Sequence, residues 1–211
     1  GISNNSSGAI TIQSDNGDTN IKATSLHGAT AGSGDINITA KNNTVEVKGA
    51  VPGPYGGIRR GRGNINVTAT VGNNTIKTGE NVSGIVSYLN KAGNAIVKAA
   101  KNNTITAGLD GAYTEAGNIA VTAGNSNTIT ANRDGLSAMG NENTITLQAG
   151  KSNTIKSDHN VMYATDGGGI TVKSDEERSM MEGNVVAETG GTLSADYNTG
   201  DSYLLGTVTT D

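Results

Sequence analysis

Cysteine is absent from the 211 residues, so neither a disulfide nor a thiolate metal site holds this chain together. Phenylalanine and tryptophan are absent as well, and six tyrosines are the whole aromatic complement. A globule of this length ordinarily buries several large aromatics around one bulky core. That architecture is therefore excluded, and the apolar residues available are mainly alanine, isoleucine and valine. The two histidines, His27 and His159, lie too far apart to form a metal-ligand motif. No apolar run approaches the ~20 residues of a membrane-spanning helix. A net charge of −4 gives no bulk attraction to nucleic acid or to an anionic membrane. The opening "GISNNSSG" has no initiator methionine and reads as a segment cut from a longer protein.

What the chain does have is glycine, 31 of them, and a phrase that keeps returning. "KNNTV" (41–45), "GNNTI" (72–76), "KNNTI" (101–105), "NSNTI" (125–129) and "KSNTI" (151–155) are near-copies. The sparse hydrophobicity would also suit a disordered chain, but disorder is rarely periodic and usually carries high net charge. The repeat has three parts in fixed order. A glycine-led alternating strand comes first, as in "SGDINIT" (33–39), "RGNINVT" (62–68) and "AGNIAVT" (116–122). The Asn-Thr-aliphatic phrase follows, and then a turn glycine with a short strand, as in "GGIRR" (56–60), "SGIVSY" (83–88) and "DGAYT" (110–114). The first strand positions, Ile10, Ile36, Ile65, Ala95, Ile119, Ile145 and Ile170, are spaced by 24 to 30 residues.

Three short strands per 24–30 residues, each alternating with period two, predict a parallel β-helix. One all-β domain is expected over 1–211, with about seven to eight coils. The irregular coil length favours the right-handed form. Rungs about 4.8 Å apart would make a rod of roughly 35 Å. Alternation points Ile10, Ile12, Ile36, Ile38, Ile65, Val67, Val97, Ile119, Val121, Ile145, Leu147, Ile170 and Val172 inward. The aliphatic of the second phrase joins them at Ile21, Val45, Ile76, Ile105, Ile129 and Ile155, with Met180 next in the series. Asn103, Asn127 and Asn153 fall at corners, where asparagine tolerates turn conformations and can stack into an amide ladder.

Four features could carry chemistry. Asp110, Asp134, Asp158 and Glu182 are spaced by 24, and in that register would stack as an acidic ladder. Carboxylates about 4.8 Å apart repel by roughly 1 kcal/mol in water and more near a low-dielectric wall. A bound Ca²⁺ or a neighbouring base such as Arg133 could relieve this, although plain Asp-Gly turn chemistry explains the same residues. The stretch "AVPGPYGGIRRGR" (50–62) holds both prolines with Tyr55, Arg59, Arg60 and Arg62. It is expected to protrude as a loop whose aromatic and guanidinium groups could bind carboxylates, sulfates or sugars. Catalysis would need acids converging on an aromatic-lined groove, and no Ser-His-Asp set, phosphate loop or His-rich zinc motif is present. A flat T-x-T array, Thr104/Thr106 above Thr128/Thr130, is cut short by Lys77 and Lys156 in the flanking coils.

The Gly-, Asn- and Thr-rich coils, "GNIAVTAGNSNTIT" (117–130) above all, together with the lack of cysteine, resemble the passenger regions of bacterial autotransporter adhesins. That resemblance covers the whole chain and is shared by filamentous-haemagglutinin-like secreted β-helices. It implies display on the bacterial cell surface and non-catalytic adhesion, with no cofactor required. The partner would be a host-surface protein or glycan, or the same protein on a neighbouring cell. The competing expectation is a carbohydrate-active β-helix enzyme, a polysaccharide lyase or hydrolase. A groove with converging acids would favour the enzyme, and a flat or convex rod the adhesin.

Overall fold

Strict alternation of burial is the local fact from which the architecture follows. Ile36–Ala40, Ile65–Ala69 and Ile119–Ala123 each bury every second side chain. The second phrase does the same in Asn43–Val47 and Ser126–Ala131. A strand with one apolar side must cover it, and here the cover is the two other strands of the same coil. The computed structural model describes residues 1–24, 27–49, 56–88, 93–176, 179–197 and 202–210. Among these there is no helix, and the strand pairs are all parallel, each joining one coil to the next.

The chain is a parallel β-helix with three strands per coil. The first face is an 8-stranded sheet that starts at Ile10–Gln13 and ends at Thr192–Tyr197. The second face stacks Thr19–Ala23, Asn43–Val47, Asn74–Glu80, Asn102–Gly108 and Ser126–Ala131. The third stacks Ala29–Ala31, Gly56–Arg60, Ser83–Ser87, Ala112–Thr114 and Leu136–Ala138. The 13-residue strand Ser152–Ala164 then runs through the corner, pairing with the second face at its start and the third at its end.

In-register pairing turns the sequence repeat into columns. Ile36, Ile65, Ala95, Ile119, Ile145 and Ile170 form one inward column, and Val45, Ile76, Ile105, Ile129, Ile155 and Met181 another. The third face contributes Ile58, Ile85, Ala112, Leu136, Met162 and Val185. All of these are buried, and each larger aliphatic contributes about 1.5–3 kcal/mol by leaving water. The interior is narrow, which is why medium aliphatics fill it without phenylalanine or tryptophan. Two expected inward residues differ. Ile12 is only partly buried, and Met180 is 40% exposed while Met181 takes the inward slot beside Ile155. Ser179, not an asparagine, occupies the corner of that coil, so the reading frame of the phrase sits one residue later.

The corner asparagines form a continuous buried ladder. Asn43 Nδ2 donates to Asn74 Oδ1, Asn74 to Asn103, Asn103 to Asn127 and Asn127 to Asn153, all at 2.8–2.9 Å. Each amide also donates to a backbone carbonyl of the first face, as Asn127 does to Gln148 O at 2.7 Å. A second ladder runs along another corner, where the side-chain oxygens of Asp35, Asn64, Asn94 and Asn118 accept the backbone N–H one coil on. Turn glycines occupy the corner between the second and third faces. A Cβ on Gly84, Gly111 or Gly135 would come within 2.7–2.9 Å of the Cγ2 of Ile105, Ile129 or Ile155, a contact that would push the core strand aside.

Asn127→Ala removes an acceptor for Asn103 and leaves Asn153 Oδ1 and Gln148 O without their donor. A loss of about 2–4 kcal/mol is expected in chemical denaturation, whereas Asn132→Ala, at an exposed turn position, should stay within about 0.5 kcal/mol.

Candidate functional site

The outward residues of the third face do not follow the threonine pattern of the rest. One column there runs Thr30, Arg59, Val86, Tyr113, Ser137, Tyr163, Val186. Four of these, Val86, Tyr113, Ser137 and Tyr163, floor a groove of about 610 Å³ that spans four coils. The corner between the second and third faces forms one wall, with Leu109, Asp110, Arg133, Asp134 and His159. Tyr88, Glu115 and Met139 form the other wall, at the corner leading to the first face. Both walls are corners of the prism, so the groove runs parallel to the rod axis.

The charged wall is an interlocked pair of carboxylates. Asp110 and Asp134 occupy the same corner slot in consecutive coils, and Asp134 N lies 3.4 Å from Asp110 Oδ1. The Arg133 guanidinium relieves their repulsion. Its Nε donates to Asp110 Oδ1 at 2.6 Å, its Nη2 donates to Asp110 Oδ2, and Nε lies 3.6 Å from Asp134 Oδ2. Ser83 Oγ, in the preceding coil, donates to Asp110 Oδ2 at 3.1 Å. Asp134 Oδ1 accepts from Asn160 N at 3.2 Å and lies 2.9 Å from His159 Nδ1. That Nδ1 is also 2.9 Å from the Asn160 amide nitrogen, so an imidazole donating to Asp134 cannot accept from Asn160.

Burial pushes the Asp110 carboxyl above its ordinary value, with Arg133 pulling the other way. Burial, aided by the hydrogen bond to Glu188, pushes the Tyr163 hydroxyl up to about 12, and Tyr113 is raised mainly by burial. Both tyrosines therefore stay protonated at neutral pH and present neutral, half-buried rings to the groove. Both oxygens of Asp110 are held by hydrogen bonds, and Asp134 Oδ1 accepts from Asn160 N, while Asp134 Oδ2 has the 3.6 Å ion contact with Arg133 Nε. The wall is a fixed electrostatic scaffold, with Arg133 its most exposed member besides His159.

The expected four-carboxylate ladder is corrected to these two. The coil after Asp134 is longer, and Asn160 takes the corner slot, as its N–H to Asp134 and its pairing with Asn184 fix. Asp158 is left exposed two residues earlier, and Glu182 sits on the second face, bonded to Lys156 Nζ at 2.9 Å. Among the described residues no group of three or more acidic or histidine side chains is arranged to hold a metal ion. The expected loop over 50–62 is also corrected in its described part. Residues 56–60 are a strand of the third face, and Tyr55 lies outside the described residues. Arg59 faces out, its Cζ 5.8 Å from the centroid of the Tyr88 ring, a cation–π contact at the edge of the groove. Arg62 is exposed at the next corner.

Arg60 turns the opposite way. It shares the parity of Ile58 and is fully buried, and among the described residues its Nε, Nη1 and Nη2 have no hydrogen-bond partner. Gly63 and Gly93 make room for it, since a Cβ on either would lie 2.9 Å from Nη1. Burial pulls its pKa down to about 10, opposed by the charge of Asp35. The tyrosine floor and Ser137 were not read from the sequence as a site. The signal was present, since Tyr113 and Tyr163 hold the same position after the turn in "DGAY" and "NVMY".

Comparison with protein-family models, curated proteins and solved structures finds no match to this chain.

Two measurements test this electrostatic picture. Asp110 holds its proton more tightly in the folded than in the unfolded chain. Its stabilising contribution is therefore full below the ordinary carboxylate range and is lost as pH rises from that range through the raised folded value. Melting temperatures across the acid range should show wild type losing stability relative to Asp110→Asn in that window. Replacing the buried guanidinium by Arg60→Met should raise stability, by about 1–4 kcal/mol in denaturant titration.

Proposed function

We propose that this chain is a non-catalytic adhesive rod, displayed at a bacterial cell surface in the manner of autotransporter passengers, and that its contact site is the third-face groove. The observation that carries this reading is the groove itself: half-buried neutral tyrosines on the floor beside a wall whose aspartates are tied to Arg133 and Asn160. Such a surface can hold a ligand, and its titratable wall groups are tied to one another, Asp110 to Arg133 and Asp134 to His159 through Nδ1. The ladders and columns behind it keep the wall rigid, which favours binding by limiting the entropy lost on association. Many copies on one cell would convert a modest affinity into firm attachment. The partner is a host-surface glycan or protein, or another copy of the chain on a neighbouring cell.

A carbohydrate-active enzyme is the second reading, favoured by one observation. Asp110 and Asp134 stack in the groove wall, and burial raises the first, an arrangement that active sites also use. Against it, a general acid or base must reach a substrate oxygen, and both oxygens of Asp110 are held by Arg133 and Ser83.

Display of the segment on a non-adherent bacterial strain, scored for aggregation and for attachment to immobilised glycans and matrix proteins, separates the readings. Tyr113→Ala together with Tyr163→Ala should abolish attachment, while Arg62→Ala should leave it unchanged. Polysaccharide incubated with the purified chain should release no new reducing ends or unsaturated sugars. Turnover that disappears in Asp134→Asn would establish the enzyme instead.

A further inference from the structure

The groove floor has a repeat of its own. In the column Val86, Tyr113, Ser137, Tyr163, the two aromatic residues alternate with small ones, and Ser137 is buried between the tyrosines. Adjacent coils of a β-helix are about 4.8 Å apart, so Tyr113 and Tyr163 lie about 10 Å apart along the axis. One coil matches the advance of one pyranose residue in an extended chain, and two coils match a disaccharide. The apolar face of a sugar ring lies flat on an aromatic ring, and in an extended β-linked chain alternate residues turn the same face to one side. Tyrosines two coils apart therefore meet the first and third sugars of a bound chain, with the second above the Ser137 notch.

The wall selects among such chains. Asp110 and Asp134 face a single arginine, and Arg133 spends Nε and Nη2 on them, leaving Nη1 for a ligand oxygen. Uronate or sulfate groups placed at Arg133 would also meet both carboxylates, whereas a hydroxyl accepts from Nη1 without that repulsion. We propose that the groove binds an extended, uncharged polysaccharide parallel to the rod axis, one sugar per coil, with alternate sugars stacked on Tyr113 and Tyr163. This rests on the reading of the groove as the contact site and supplies its ligand class.

The test is calorimetry on the purified chain with cello-, manno- and chito-oligosaccharides of two to six sugars, and with hexagalacturonate as the charged probe. At least one neutral series should bind, with affinity rising to about four sugars, the number of coils the groove spans, and then levelling. Tyr113→Ala and Tyr163→Ala should each weaken binding about 2- to 10-fold. Tyr113→Leu, which keeps apolar cover on the floor, should weaken it equally, and melting curves confirm that each variant is folded. Tighter binding of hexagalacturonate, affinity independent of length, or unaltered binding in the folded tyrosine variants overturns the proposal. If the tyrosine variants abolish attachment of displaying cells but no neutral series binds, the contact site stands and the glycan assignment falls. If attachment survives in those variants, the reading of the groove as contact site falls with it.

Discussion

Every position in this structure must tolerate a neighbour of its own kind about 4.8 Å above and below it. In-register stacking of coils imposes that constraint, and side chains are selected by how they stack. Isoleucine and valine stack by dispersion and burial. Asparagine stacks because an amide is donor and acceptor at once, so Asn74, Asn103 and Asn127 each give to the next and receive from the last, with Asn43 and Asn153 at the ends of the ladder. Charge stacks when its sign alternates, as in Lys22, Glu46 and Lys77 on the second face. Like charges do not, and the two aspartates in consecutive coils, Asp110 and Asp134, are bridged by Arg133.

The proposed contact site lies where a column stops repeating. Along the third face, threonine gives way to arginine, valine, tyrosine, serine and tyrosine, and the surface becomes concave between two corners. The same departure brings a buried charge. Arg60 stands in a column of small residues that includes Ala31, Ser87, Thr114 and Ala138, and it reaches the corner where Gly63, at φ +100°, and Gly93 have no side chain. A buried guanidinium with no hydrogen-bond partner among the described residues costs stability. The groove begins beside it, through Arg59 and Tyr88.

By itself the sequence determined the number of strands per coil, the parallel stacking, the inward aliphatics and the corner role of Asn103, Asn127 and Asn153. All of these are local, because a period of two within strands and about 26 between coils writes each residue's environment into its own neighbourhood. Only the tertiary structure decided register where coil length changes. The longer coil between Asp134 and Asn160 broke an acidic spacing that looked regular in the chain, and the shift from Met180 to Met181 did the same for the core. The sequence placed Tyr113 and Tyr163 alike after their turns but did not reveal the groove, because its floor is assembled from residues 24 to 27 apart whose side chains meet only when coils stack. Strand alternation fixes which side a residue faces, and stacking alone fixes which residue it faces beside.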